Sequence, residues 1–394
     1  MNKMKKIKRL EKAIFEESSS KYLTKIKNCS DNDLCWCGSN IKYKDCHKNI
    51  SKSKPSSTGK VFHSFLSLRK KKMCLHPDNK NCSGGIIKAH SIQKSKSLKS
   101  ICEDGKVYHF EMDISLYDNW KNYETIIPKI KGIAETSIFK GFCAFHDREF
   151  FKIIDMNIIE PTIEQSVLLS IRSIAHEIYT KDITSHLEHI YKEASHGTPI
   201  EWQAKLHEMM RLQQIGTEIG LEDLGEHYNN FINIYFKKEY IRINRLVIKI
   251  DEKPEVICST CFSPEFDLDN NLLQDIRKLE FLELMTFEVF SNGTHGIIQF
   301  CWYDNFNSCK LFIESLLRCE DIPNTILKLV FITAENHAFK ISWFNDLKVL
   351  HKKGIMKLIM KRIDSDKLND VILAVKNDRK EYIKWNIKSI EKLF

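Results

Sequence analysis

The chain has 394 residues, of which 42% are apolar and 29% are charged. These values are typical of folded globular proteins rather than disordered ones, and the length suits two or three domains. No apolar run approaches the roughly 20 residues of a membrane helix. The basic start of the chain continues into an amphipathic segment, not into the apolar core of a signal peptide. The sequence therefore excludes an integral membrane protein and predicts a cytoplasmic protein without a membrane partner.

The net charge of +9 is unevenly distributed. Residues 42–100 contain 15 lysines and arginines against 2 acidic residues, whereas residues 151–394 contain 31 basic and 36 acidic residues. A basic segment of this size favours a polyanionic partner, most simply nucleic acid. The high content of lysine, asparagine and isoleucine allows another interpretation, in which an AT-biased genome places lysine on every surface.

Composition and periodicity predict six segments along the chain. They are an amphipathic helix over 1–28, a cysteine-rich segment over 29–50, a linker over 51–60, a second cysteine-containing module over 61–155, a helical region over 156–240 and a C-terminal α+β domain over 241–394. In a reducing compartment, clustered cysteines are metal ligands more often than disulfides. The two cysteine-containing segments are therefore predicted to bind metal.

The first cluster has the spacing C-x-C-x8-C-H. Four soft ligands stand within thirteen residues, a set that satisfies tetrahedral zinc: Cys35, Cys37, Cys46 and His47. Gly38, Ser39 and Asn40 supply a tight turn between the two halves. The segment is too short to build a hydrophobic core, so its folding energy must come from the metal.

These four ligands, with the Gly38–Ser39 turn and the basic strip that begins at Lys42, resemble the SEC-C motif, which is named for the zinc-binding tail of a preprotein translocase motor. The resemblance covers about fifteen residues. It implies a zinc knuckle that contacts protein or ribosome-like partners. The chain has no phosphate-binding loop of the Gly-x4-Gly-Lys-Thr type, so the resemblance does not extend to the motor itself.

The second cluster lies in residues 61–155. Four soft residues in two pairs predict a second structural zinc site: Cys74, Cys82, Cys143 and His146. His76 could replace Cys74, because the two residues are close in sequence. A strand is predicted over 86–92 and a strand pair around 106–110. A helix is predicted to begin at Asp147, with acidic residues in its first turn.

This order of elements resembles the HNH nucleases, whose zinc-scaffolded fold is a ββα-metal, treble-clef module. His90 falls at the position of the family's general base, and Asp147 falls where the family places a catalytic-metal ligand. The resemblance implies phosphodiester hydrolysis with Mg²⁺ or Mn²⁺ at Asp147, with help from Glu149 or the substrate phosphate. Ala89 replaces the usual acidic residue before the base, and the usual asparagine is absent.

His90 has three interpretations from the residues alone. As a general base it would activate water, since an imidazole titrates near working pH. As a zinc ligand it would displace one of the four soft residues. As a core histidine it would bond to the backbone.

The remainder of the chain belongs to no family that its motifs identify. Helices are predicted over 161–238, with His186, His189 and Glu193 on the first of them as either a metal-binding or a solvated face. Strands are then predicted at 246–250, 256–260, 286–290, 296–302 and 326–332, and helices near 306–319, 341–362 and 366–392. Cys258 and Cys261 are predicted to be buried thiols. The polar cluster Glu335, Asn336 and His337 is either a weaker candidate site or a loop cap.

The sequence thus predicts an α+β protein with an N-terminal zinc knuckle, a treble-clef module, a helical middle and a C-terminal α+β domain. The predicted function is a nuclease with two structural zinc ions, which by analogy suits defence of bacteria against phage. The alternative is a non-catalytic zinc-binding protein that docks on nucleic acid, on a ribosome or, through the knuckle, on a protein partner.

Overall fold

The computed structural model describes residues 26, 28–37, 39–68, 71–110, 127–156, 160–186, 188–275, 280–364 and 369–394. The helix predicted over 1–28 therefore lies almost entirely outside the described residues. The chain forms two compact units: unit 1 contains residues 1–72 and 178–225, and unit 2 contains residues 73–177 and 226–394.

Helices and strands both contribute to the fold, which confirms the predicted α+β class. The longer helices are α1 (Thr58–Leu68), α2 (Ala144–Phe150), α3 (Lys152–Met156), α4 (Ile163–Thr184), α5 (Glu188–Ala194), α6 (Ile200–Lys237), α7 (Asn307–Leu317), α8 (Ile322–Thr333), α9 (Ile341–Asp346), α10 (Val349–Asp364) and α11 (Asn369–Asn377). The strands are β1 (Ala89–His90), β2 (Lys106–His109), β3 (Lys129–Gly132), β4 (Ile138–Phe139), β5 (Ile243–Ile250), β6 (Val256–Phe262), β7 (Met285–Ser291), β8 (Gly296–Tyr303), β9 (His337–Phe339) and β10 (Ile387–Leu393).

Unit 2 is built on an eight-stranded sheet with the strand order β10-β5-β8-β7-β6-β9-β2-β3, and all of its neighbouring strands are antiparallel. β1 and β4 form a separate two-stranded ribbon. Every residue of β7 and β8 is buried. Both strands are rich in aromatic and β-branched side chains, the residue types enriched in strands, which is why the sequence pattern located them.

One face of the central strands carries polar side chains against α4. Ser166 of α4 donates to Gln299 of β8 at 2.7 Å, and Ser170 lies 2.8 Å from the hydroxyl of Thr286. Buried polar groups are costly unless they are hydrogen-bonded, so these pairs fix the position of α4 on the sheet.

Two predicted elements of the C-terminal region are wrong. The apolar run 326–332 was predicted as a strand but forms most of α8, where Asp321 caps the helix by accepting from Asn324 N and Pro323 occupies the first turn. The helix predicted over 366–392 ends at Asn377, and the chain then enters β10, which pairs with β5. A short apolar run cannot distinguish a buried strand from a buried helix, so the capping residues decide.

The structure also bears on three weaker site predictions. His186 and Glu193 do not share a helix, because α4 ends at Thr184 and α5 begins at Glu188. Within the described residues, Cys258 and Cys261 belong to no metal-binding cluster; Cys258 is buried as predicted, whereas Cys261 is only half-buried. His337 is also buried, and its Nδ1 lies 2.9 Å from the carbonyl oxygen of Ala334, so it has a structural role in β9.

None of the helices that the structure describes is long and apolar enough to cross a membrane.

Candidate metal centres and a basic cavity

The first metal centre lies in unit 1. The ligand atoms of Cys35, Cys37, Cys46 and His47 all lie within 4.8 Å of one another. His47 Nδ1 is 3.3 Å from Cys35 Sγ and 3.2 Å from Cys46 Sγ, and the Cys37 and Cys46 sulfurs are 3.6 Å apart. A tetrahedral zinc with bonds of about 2.0–2.3 Å separates its ligands by about 3.3–3.8 Å. The cluster therefore fits zinc, as the sequence predicts.

The surroundings of this centre orient its ligands. Ser39 Oγ lies 3.1 Å from Cys37 Sγ and 3.3 Å from Cys46 Sγ, so its hydroxyl can donate to one of the two sulfurs when zinc holds them as thiolates. Asn40 adopts a left-handed backbone conformation with φ 58°, which an asparagine tolerates at a turn. The Trp36 ring packs against His47 at 4.4 Å, and buries the knuckle against Ala204 of α6.

The second metal centre lies in unit 2. The ligand atoms of Cys74, Cys82, Cys143 and His146 also lie within 4.8 Å of one another. His146 Nδ1 is 3.4 Å from Cys74 Sγ, 3.6 Å from Cys82 Sγ and 3.3 Å from Cys143 Sγ. These separations suit the same tetrahedral ion. The structure brings together the two predicted pairs, although many residues separate them in the chain.

Local backbone structure explains how the second pair meets the first. Cys143 is the N-cap of α2, and its sulfur accepts from the backbone N–H of His146. The helix thus begins at Ala144, three residues before the predicted start at Asp147. Gly84 has φ +76°, and a Cβ at this position would lie 2.8 Å from the Cβ of Ala144, so only glycine fits the approach of the two segments.

His76 is not among the four ligands. Its ring stacks on that of His146 with centroids 3.9 Å apart, and its Nδ1 accepts from the backbone N–H of Asp78 at 3.1 Å. Cys74 occupies the ligand position that His76 was predicted to be able to take.

A cavity of about 360 Å³ lies beside the second centre in unit 2. His90 and Asp147, the two predicted catalytic residues, both line it. Its other lining residues are Lys88, Ala89, Gln93, Lys94, Ser95, Lys99, Ile133, Asp155 and Arg172. With Asp147 included, the lining has four cationic side chains and two carboxylates, so the cavity is net positive with neutral His90. Such a lining suits an anionic ligand.

His90 reaches the cavity from β1, which pairs with β4 through Ala89↔Phe139 and His90↔Ile138. Its Nε2 lies 3.2 Å from the carbonyl oxygen of Ile133. A carbonyl can only accept, so Nε2 carries the proton and Nδ1 keeps its lone pair. Burial, together with the charge of Lys94, lowers the pKa of His90 from its ordinary value. Within the described residues His90 belongs to neither zinc cluster.

Asp147 lies in the first turn of α2, directly after the zinc ligand His146. One carboxylate oxygen, Oδ1, is buried and has no hydrogen-bond partner among the described residues. Burial, together with the charge of Asp155, raises the pKa of Asp147, while Arg172 opposes the shift. Glu149, the predicted helper of Asp147, is exposed, pairs with Arg148 and does not line the cavity.

The structure adds three polar residues to the cavity that sequence reasoning missed. Arg172 of α4 donates from both terminal nitrogens to the carboxylate of Asp155 at 2.8 and 2.7 Å. Gln93 donates from Nε2 to the carbonyl oxygens of Ile154 and Asp155. The position of Gln93 three residues after His90 was the one available signal, and nothing in the sequence links Arg172 to Asp155.

Comparison with known proteins supports the first centre. The family model of the SEC-C motif matches residues 32–49, which include all four ligands of the knuckle. No curated protein matches the chain, and no solved structure matches it either. The resemblance of residues 74–155 to HNH nucleases is not supported by any of these comparisons.

Proposed function

We propose that this protein is a metal-dependent nuclease whose active site is the basic cavity of unit 2. The observation that carries the proposal is that His90 and Asp147, predicted from the sequence as base and metal ligand, line one cavity. Three exposed lysines surround them, Lys88, Lys94 and Lys99. Phosphate groups of nucleic acid are the polyanion that such a lining attracts most simply.

The chemistry follows from the protonation state of His90. Its Nδ1 lone pair can take a proton from a water molecule while the water oxygen forms a bond to phosphorus. The P–O bond to the leaving nucleotide then breaks, and the departing oxygen is protonated from solvent. A lowered pKa keeps the imidazole neutral, which is the form that a base requires. A divalent cation, when bound beside Asp147, would stabilise the charge that develops on the phosphate.

The two zinc centres have a structural role in this proposal. Each has four protein ligands, and a closed tetrahedral site leaves no position for a substrate. The second centre anchors the start of α2 and thereby places Asp147 in the cavity wall.

The proposal is tested by cleavage of plasmid DNA and of RNA, with and without Mg²⁺ or Mn²⁺. We expect His90→Ala to lower the cleavage rate by about 10²–10⁴-fold, the usual contribution of a general base. His186→Ala is the matched control, because this histidine is exposed and lies outside the cavity. Cleavage that persists in His90→Ala would contradict the proposal. Absence of cleavage by the wild type, with salt-sensitive binding of nucleic acid retained, would favour the non-catalytic alternative.

A further inference from the structure

We infer that Gln93 and Asp155 join Asp147 in holding a hard divalent cation in the cavity of unit 2. The inference rests on the proposed function, because it assigns the cation site of the same cavity. It gives roles to two residues that neither the SEC-C motif nor the HNH-like pattern assigns.

Two buried oxygen atoms of the cavity wall lack hydrogen-bond partners among the described residues. Gln93 is only 8% exposed, and its amide nitrogen donates to the carbonyl oxygens of Ile154 at 2.9 Å and Asp155 at 3.2 Å. These bonds fix which end of the amide is oxygen. Among the described residues nothing donates to Gln93 Oε1 or to Asp147 Oδ1, and both atoms are buried. Buried polar atoms are rarely left unsatisfied, so two such oxygens in one cavity wall indicate a bound group.

Two hydrogen bonds from Arg172 hold the carboxylate of Asp155 in place. Arg172 is 3% exposed, and its guanidinium lies over the ring of Phe151 at 4.1 Å, so the ion pair is rigid. A carboxylate offers about four lone-pair sites, and the fork of Arg172 uses two of them. The other two stay available to a cation. Metal-binding carboxylates are commonly oriented by a second hydrogen-bonded group in this way.

The chemistry of the donor atoms indicates which cation the site would hold. The donors are one amide oxygen and two carboxylates, and hard oxygen donors select Mg²⁺, Mn²⁺ or Ca²⁺ rather than zinc. Asp147, Asp155 and Arg172 together carry a charge of −1 when the acids are ionised, and Lys88, Lys94 and Lys99 make the lining as a whole positive. A divalent cation therefore leaves a net positive site for a phosphate group.

Gln93 and Asp155 supply the two kinds of side chain that the HNH pattern expects and this sequence lacks. Ala89 offers no carboxylate, and the usual asparagine is missing. In the folded chain, Asp155 supplies a second carboxylate from α3 and Gln93 supplies an amide. Glu149 cannot do so, because it pairs with Arg148 at the surface.

The test is a titration of the full-length, zinc-loaded protein with Mn²⁺, in which the EPR signal of free Mn²⁺ reports binding. We expect the wild type to bind one Mn²⁺, and Asp155→Asn and Gln93→Leu each to weaken binding at least tenfold. Gln93→Glu keeps a side-chain oxygen for the cation but loses the amide N–H donor. We therefore expect this variant to bind Mn²⁺ at least as tightly as the wild type. If Gln93 only makes its two hydrogen bonds to the backbone, both Gln93 variants should bind Mn²⁺ more weakly than the wild type. That result would overturn the assignment of Gln93 as a ligand.

Two matched controls accompany these variants. Glu149→Gln removes a carboxylate near Asp147 that lies outside the cavity, and Gln203→Leu removes a buried glutamine of unit 1 whose Oε1 also lacks a partner among the described residues. Both should bind Mn²⁺ as the wild type does. Zinc content and the circular dichroism melting curve identify any variant that has not folded.

The outcomes separate this inference from the proposed function. No Mn²⁺ bound by the wild type at millimolar concentration, or unchanged affinity in Asp155→Asn and Gln93→Leu, would overturn the cation site. Mn²⁺ bound with the expected losses, but without cleavage of any nucleic acid, would support the cation site and contradict the nuclease. Cleavage that survives in Asp155→Asn and Gln93→Leu, with their Mn²⁺ affinity unchanged, would support the nuclease and overturn the cation site.

Discussion

The carboxyl group of Glu288 lies in the middle of the large sheet, on the face that α4 covers. The Ser173 hydroxyl donates to its Oε1 at 2.8 Å, and Gln299 Nε2 donates to its Oε2 at 3.1 Å. Burial raises the pKa of Glu288 to about 8, against the opposing effect of these hydrogen bonds. An ionised carboxylate would be poorly solvated at this position, so the folded protein holds the proton tightly.

This proton links stability to pH. The pKa of Glu288 is about 8 in the folded protein and 4.5 as its ordinary value. Its contribution to stability is therefore fully present below pH 4.5 and is lost as the pH rises towards 8, by an amount on the order of a few kcal/mol. We therefore expect the melting temperature of the wild type minus that of Glu288→Gln to decrease as the pH rises from 5 to 8. A difference that stays constant, or rises, over this range in circular dichroism melts would contradict the assignment.

Single residues also show what a sequence can and cannot reveal about the site. Cys74 and Cys82 are predictable ligands, because soft residues at short spacing have few other uses. The sequence leaves three interpretations of His90 open: the structure places it in neither zinc cluster of the described residues, and its contact with the Ile133 carbonyl oxygen is the one that the core-histidine interpretation predicts. Asp155 gives no usable signal and Gln93 gives only its position three residues after His90, because a buried polar residue acquires its role from tertiary neighbours that are distant in sequence.

Among the elements, α2 depends on the metal at its N-terminus. Two of the zinc ligands lie at the start of this helix: Cys143 is its N-cap and His146 is in its first turn. The helix is only seven residues long. A helix of this length is not stable alone, so tertiary contacts and the zinc must hold it. Loss of the ion would therefore release Asp147 from the cavity wall.

We predict two zinc ions per chain in the wild type and one in Cys82→Ser or Cys37→Ser, as measured by elemental analysis after dialysis. Each substitution removes one of the four ligands of a different cluster. Cys82 is exposed, so its loss should act through the metal and not through packing. Nuclease activity should fall in Cys82→Ser.

Cys102→Ser is the matched control, because Cys102 belongs to neither cluster, and it should retain both ions. Two zinc ions retained in Cys82→Ser would contradict the assignment of the second centre.

The elements differ in how well the sequence predicts them. β5 to β8 were located correctly, because their long apolar runs are bounded by turn residues. α8 was mistaken for a strand, since a helix buried on every side has no polar face to reveal its period. β10 was mistaken for a helix because all of its residues are exposed, and its conformation is set by backbone pairing with β5.

At the scale of unit 2, the segment over 61–155 and the large sheet share one core. β2 and β3 form one end of the eight-stranded sheet, and β2 pairs with β9 through Tyr108↔Phe339. Apolar side chains from both parts of the chain form one buried cluster: Ile92, Leu98, Ile101, Val107, Ile257 and Ala338. The hydroxyls of Ser91 and Ser259 add a buried contact of 2.7 Å beside the cavity.

This shared core predicts that residues 61–155 do not fold when expressed alone. Without Ile257, Ala338 and β9, the fragment would expose side chains that are almost fully buried in the whole chain, each worth about 1.5–3 kcal/mol of burial. Zinc could still bind Cys74 and its partners, but one metal centre cannot replace a missing half of a core. We expect no cooperative thermal transition in the fragment, whereas the full chain in the same buffer should unfold cooperatively. A sharp transition in the fragment with one zinc bound would instead show that the module is an autonomous domain, and the role of the large sheet would then have to be sought outside its stability.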